Sequence, residues 1–190
     1  IVLSRTADEI LSKVFYLEIP EISNGLVDLK AVAREAGSRS KVAVIANSDN
    51  VDPIGSCVGQ RGSRIQTIIN EVGGEKIDII EYNDDAAKFI ANSLAPAKIE
   101  QVELDYETKH AVITVDPEQL SLAIGRDGQN VRLAARLTGW HLDITTNQDK
   151  QLADDEPIIE PQEEVVKEKK AKKTTAKTTA KKTTKKTAAK

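Results

Sequence analysis

Ile10, Leu11, Val14 and Phe15 recur at helical spacing behind Thr6–Glu9, which has the form of a capping box, and the stripe stops at Pro20. After the turn signal Asn24-Gly25, residues 26–34 and 41–46 alternate apolar with polar positions and predict the two strands of a hairpin. Asp52 before Pro53 marks a helix start, with the acid as N-cap and proline at the first helical position, and the short helix runs to Gly59. A second capping box, Ser63–Gln66, opens a helix whose Ile65, Ile68, Ile69 and Val72 share one face. Gly73 suits its C-cap, and residues 76–80 predict a third strand. The order then recurs: a helix over 85–94 stopped by Pro96, strands near 98–105 and 109–115, helices around Gly125–Gly128, and a strand at 141–145.

This recurrence is a duplication. Val58-Gly59-Gln60-Arg61-Gly62 is answered 66 positions later by Ile124-Gly125-Arg126-Asp127-Gly128, and the pairs Gly73/Gly139, Ile65/Val131, Ile68/Ala134 and Ile69/Ala135 keep that offset. Ile77-Asp78-Ile79 matches Leu142-Asp143-Ile144 at 65, and Val51-Asp52-Pro53 matches Val115-Asp116-Pro117 at 64, so the indels fall in connections. The expected fold is α+β: two tandem α-β-β-α-α-β domains over 1–82 and 83–148, each a three-stranded sheet packed on helices. Residues 149–190 form an acidic, then lysine-rich tail whose composition cannot bury a core and predicts disorder.

A chain of 190 residues, 39% hydrophobic and 30% charged, suits two small domains. No run approaches the ~18 apolar residues of a bilayer span, and the start lacks the pattern of a signal peptide, so the expected location is the cytoplasm, with no membrane partner. The absence of methionine and the start at Ile1-Val2-Leu3 read as the middle of a longer polypeptide. Charge is unevenly divided. Residues 1–150 hold 16 Lys/Arg against 23 Asp/Glu, residues 151–166 six acids and no base, and residues 167–190 eleven Lys against one Glu. Any nucleic-acid site in the first 150 residues is therefore a local basic patch.

Two glycines three apart between helices make such a patch possible. A helix N-terminus presents unpaired N–H groups and partial positive charge, which suit a phosphate oxygen. Glycine turns sharply at positive φ and lets a sugar-phosphate chain come close. Arg61, Arg64, Arg126, Arg132 and Arg136 would supply charge at the two loops. One such loop is a weak signal; two in matching contexts are a strong one, and each fits a clamp on about four nucleotides of single strand. The candidate RNA-binding residues are Gly59, Gln60, Arg61, Gly62, Ser63, Arg64 and Ile65, with Gly125, Arg126, Asp127, Gly128, Gln129, Asn130 and Arg132, and bases would lie against Ile65, Val131 and Ile124.

Residues 51–59, Ser121 to Arg126, Gly128 to Ala135 and Thr138-Gly139-Trp140 resemble the tandem KH region of the NusA family of bacterial transcription termination/antitermination factors, over about residues 1–148. The resemblance implies the prokaryotic (type II) KH fold, two domains packed as one rigid unit, and an RNA surface across both loops. It further implies an RNA-polymerase-binding domain and an OB-fold domain ahead of Ile1, contact with nascent single-stranded RNA and with other Nus-type factors, and a monomeric state. Asp127 departs from the family by placing an acid where phosphate would lie, and the tail lacks the acidic helical repeats of some members.

Other residues take plainer readings. Cys57 is a small buried apolar residue rather than a redox group. His110 and His141, 31 residues apart, are assigned to the surface or to strand packing and not to a metal. Tyr82 and Trp140 are assigned to core or edge packing rather than base stacking. No nucleophile or metal motif supports an enzyme, and no cofactor is implied. Two rivals remain at this stage: the RNA-presenting KH module of a ribonuclease or ribosome-associated protein, and a fold used for protein contact alone.

Overall fold

The computed structural model describes residues 4–147, so the tail expected to be disordered lies outside the described residues. Within them the α-β-β-α-α-β order is present twice. The first unit comprises α1 (Asp8–Glu18), α2 (Pro20–Ser23), β1 (Val27–Glu35), β2 (Arg39–Ala46), α3 (Pro53–Val58), α4 (Ser63–Glu71) and β3 (Lys76–Glu81). The second comprises α5 (Ala86–Ser93), β4 (Ile99–Asp105), β5 (His110–Val115), α6 (Pro117–Ile124), α7 (Gln129–Thr138) and β6 (His141–Thr146). Each sheet pairs its first two strands antiparallel and its second and third strands parallel. Even the irregularities repeat, with a register shift between Leu29 and Ala31 and another between Ile99 and Gln101.

Local signals act largely as the sequence implies. Asp52, Asp85 and Asp116 each cap a helix by accepting from the amide two residues on, at 3.0, 3.0 and 2.8 Å. After α4, Gly73 and Gly74 have positive φ, and their amides donate back to Asn70 and Ile69, which closes the helix in a Schellman turn. The two capping boxes do not form. The N-cap of α1 is Ala7, while the Thr6 amide turns to Ser4. Ser63 is already helical, because Gly62 in the left-handed region takes the cap position and leaves nothing for a Ser63–Gln66 exchange. Pro20 does not simply end α1; it opens the short α2 at its first position.

The core of the first domain joins Leu11, Phe15 and Ile19 to Val27, Val42, Val44, Cys57 and Ile68. That of the second joins Ile90 and Leu94 to Ala111, Ile113, Val115, Ala123 and Ala134. A third cluster joins the domains: Ala33, Ala43 and Ile80 on the outer face of the first sheet pack on Phe89 of α5 and Leu133 and Leu137 of α7. The first sheet is thus covered on both faces, which explains why β2 is a nearly continuous buried run and not an alternating one. Lys41 is fully buried in this interface, its ammonium donating to the Ala95 carbonyl at 3.1 Å and lying 3.5 Å from Asp78.

The outer face of the second sheet differs in chemistry. Register and repeat place Gln101, Glu103, Thr114 and Thr145 where the first sheet has Ala31, Ala33, Ala43 and Ile80, so no equivalent apolar contact face exists there. His110 and His141, distant in sequence, are register partners on β5 and β6, and His110 Nε2 lies 2.9 Å from Asp143. Among the described residues no group of three His, Cys, Asp or Glu could hold a metal, and no helix is long and apolar enough to cross a membrane.

Candidate nucleic-acid interface

The two glycine loops have the same backbone. Gly59 sits at φ 74°, ψ 177°, Arg61 at 54°, 25° and Gly62 at 78°, 15°. Gly125, Asp127 and Gly128 follow at 75°, 173°, at 53°, 28° and at 70°, 16°. Three left-handed residues in four reverse the chain between two helices, and no side chain caps α4 or α7. The Ser63 and Gln129 amides donate to the Gln60 and Arg126 carbonyls, and no side chain takes the amides that follow in the first turn. Asp127 has a backbone reason to be where it is: aspartate tolerates the left-handed region better than most residues.

The two glycines of each loop do different work. A Cβ on Gly59 would lie 2.8 Å from Arg64 Cγ, and one on Gly125 would lie 2.7 Å from Asn130 Cβ and 2.9 Å from its amide nitrogen. Both first glycines are needed for packing. At Gly128 a Cβ would meet nothing within 4 Å, and at Gly62 only an Ile65 methyl at 3.9 Å. The second glycines therefore face open space.

Arg64 and Asn130 stand at the same repeat position and do the same job with different chemistry. Arg64 Nη1 donates to the Ser56 carbonyl and to Glu21 Oε2, both at 2.8 Å. Asn130 is 3% exposed, and its Nδ2 donates to the carbonyls of Ala123 at 3.0 Å, Leu94 at 3.1 Å and Leu122 at 3.4 Å. Ser56 and Leu122 are themselves equivalent, so each side chain ties the helix after the loop to the helix before it. Asn130, expected from its place beside the loop to face RNA, is instead inside the fold. The Arg64 bond holds the Glu21 carboxyl below its ordinary value.

Gln60, Arg61 and Ser63 are exposed, as are Arg126 and Asp127, at 94% and 87% of their side chains, 3.5 Å apart. Gln129 and Arg132 reach across to the first domain. Arg132 Nε donates to Glu35 at 2.6 Å and its Nη1 to the Asp127 carbonyl at 3.2 Å, while Gln129 donates to Glu35 at 2.7 Å and Ser38 at 2.8 Å. The hydrogen bonds from Arg132 and then Gln129 pull the Glu35 carboxyl below its usual range. Of the expected apolar lining, Ile65 and Val131 are half-buried against their own cores and Ile124 is exposed beside Leu122. Cys57 is buried, and Tyr82 packs on Phe89 with ring centroids 4.9 Å apart. Trp140 stands edge-on to Tyr106 at 5.4 Å.

Sequence reasoning missed the first-domain wall of a cleft of about 400 Å³, where Ser38, Arg39 and Lys76 face Arg126, Gln129 and Arg132. Arg39 and Lys76 become neighbours only as register partners on the parallel strands β2 and β3, which residues 37 apart do not show in sequence. A second cleft, of about 790 Å³, lies along the first loop between Asn50–Asp52 and Gln60, Ser63 and Arg64.

Family models match both halves of this arrangement: NusA-like first KH domain over residues 5–82 and NusA-like second KH domain over 86–152. The chain belongs to the NusA-like KH family. It is 52% identical over 151 residues to the transcription termination/antitermination protein NusA of Halalkalibacterium halodurans, a match covering 80% of this chain and 40% of that protein. It is 48% identical over 172 residues to NusA of Bacillus subtilis, covering 85% and 46%, and 49% identical over 142 residues to that of Thermus thermophilus, covering 75% and 37%. The chain thus spans less than half the length of these NusA proteins. The crystal structure of APE1850 shares the fold, with a TM-score of 0.54 at 23% identity over 74% of this chain and 97% of that one.

Proposed function

We propose that this chain is the RNA-contacting region of a bacterial transcription termination/antitermination factor. It holds nascent single-stranded RNA at the elongating polymerase in the cytoplasm and thereby modulates pausing, termination and antitermination. It acts as a binder and not as an enzyme, works as a monomer, and meets RNA polymerase mainly through other parts of the protein and alongside other Nus-type factors. Its two domains divide at residues 82 and 83.

The observation that carries this reading is the pair of loops with one conformation, each presenting an open second glycine and an uncapped helix start beside an exposed arginine, Arg61 or Arg126. In each, a phosphate approaches over Gly62 or Gly128 and accepts from the first-turn amides. The neighbouring side chains, Gln60, Arg61, Ser63 and Ile65 or Arg126, Asp127, Gln129 and Arg132, face the strand or shape its path. Gly59, Gly125, Arg64 and Asn130 hold the loops in the binding geometry. Each clamp takes about four nucleotides, and joining two on one rigid body multiplies their separate affinities.

Replacing Gln60, Arg61 and Arg126 by aspartate in the whole chain tests this. Single-stranded RNA binding should be abolished while thermal unfolding stays nearly unchanged, because all three side chains are exposed. Unaltered affinity refutes the clamp assignment.

A further inference from the structure

The second loop carries Asp127 among its exposed residues, yet the cleft beside it is cationic. Arg39 and Lys76 come from the first domain, Arg126 and Arg132 from the second. The acids nearby are already engaged: Asp78 accepts from Arg39 at 2.7 and 3.0 Å, Glu35 is bonded to Arg132 and Gln129, and Asp127 lies against Arg126. Lys76 is exposed, and its ammonium has no acidic partner among the described residues, so it is the surplus charge of the cleft. The backbone that carries it is held in place. The Lys76 amide donates to the Ser38 carbonyl at 3.1 Å, and the Ser38 hydroxyl accepts from Gln129 at 2.8 Å, so Ser38 links the β3 start to the first residue of α7.

We infer that a backbone phosphate of the bound single-stranded RNA sits in this cleft between Lys76 and Arg126, so that the first domain completes the second clamp. The inference rests on the reading of the loops as RNA clamps. It gives the acid in the second loop its compensation: the positive charge that Asp127 cancels at Arg126 is returned from the other domain. It also gives the interface a role in binding, since the apolar contact of Ala33, Ala43 and Ile80 with α5 and α7 brings the β2–β3 edge to the loop.

The test is a titration of the whole chain with an unstructured single-stranded RNA at several salt concentrations, for Lys76→Ala, Arg126→Ala, the double variant and Lys88→Ala. Lys88 lies exposed on α5, outside the cleft. Each cleft variant should weaken binding about three- to tenfold and lower the salt slope by about 0.7, as expected for one lost phosphate contact on a single strand. The double variant should bind little more weakly than either single one, because both cations hold one phosphate. Lys88→Ala should match the wild type. A Lys76→Ala chain with wild-type affinity and slope, or a double effect equal to the product of the single ones, overturns the inference and leaves the clamps standing. A wild-type chain that binds no RNA at low salt overturns the clamp reading itself.

Discussion

Alanine at the two glycines of one loop should separate building the clamp from using it. Gly125 lies at φ 75°, ψ 173°, a region essentially reserved to glycine, and forcing another residue there costs about 1–3 kcal/mol. The added Cβ also meets Asn130, whose side chain is anchored by hydrogen bonds to Leu94 and Ala123 and whose amide belongs to the first turn of α7. Neither can yield without moving a helix, and such overpacking adds about 1–3 kcal/mol. Gly125→Ala should therefore cost on the order of 4 kcal/mol, which at roughly 2–4 °C per kcal/mol for a body of this size lowers Tm by about 8–16 °C. Gly128 lies at φ 70°, ψ 16° with nothing within 4 Å of a new methyl, so Gly128→Ala pays only the left-handed penalty of about 1–2 kcal/mol. That methyl nevertheless stands on the open face assigned to the phosphate in the proposed clamp. Thermal melts beside RNA titrations would read both quantities. Gly128→Ala should stay folded and bind RNA weakly, and Gly125→Ala should be the less stable by several degrees. Equal Tm shifts, or wild-type RNA affinity in Gly128→Ala, would refute the division of labour.

Three further outcomes follow from the geometry. Glu75→Ala should destabilise the first domain by about 3–5 kcal/mol in urea unfolding, because it strands the buried Arg34 guanidinium that now donates to Glu75 at 3.0 Å. Glu35 has its folded carboxyl value depressed by Arg132 and Gln129, so the stability it contributes is present above the ordinary glutamate value of about 4.3 and lost as pH falls through the depressed one. Melts across pH should accordingly show wild type above Glu35→Gln at neutral pH, with the gap closing in acid. Cys57, whose thiol burial pushes up to about 12, should be inert to a disulfide reagent in the native chain and react only on unfolding.

What could be read from the sequence was local. The Asp-Pro helix starts and the glycine spacing need only neighbouring residues to be understood, the 66-residue offset needs only the sequence set against itself, and together they placed both loops. The two capping boxes fail for separate reasons: Ala7, not Thr6, takes the cap of α1, and Gly62, in the left-handed region, displaces Ser63 from the cap of α4. The side-chain directions were out of reach for a different reason. Arg64 and Asn130 follow their loops by two residues, beside Arg61 and Arg126 in sequence, and only the fold turns them inward onto backbone carbonyls. Parallel pairing hid the neighbours His110 and His141, and docking hid the role of Ala33, Ala43 and Lys41, which in sequence are ordinary strand residues.

The most direct measurement places a photoreactive side chain at Gln60, at Asp127 and, as a reference, at Glu107 on the β4–β5 turn, and maps crosslinks to a single-stranded RNA long enough to span both loops. The probes at 60 and 127 should mark one RNA molecule at two separate positions in a fixed order, and the probe at 107 should mark none. Crosslinks that arise from 107 in preference to the loops would place the RNA on another face and contradict the account.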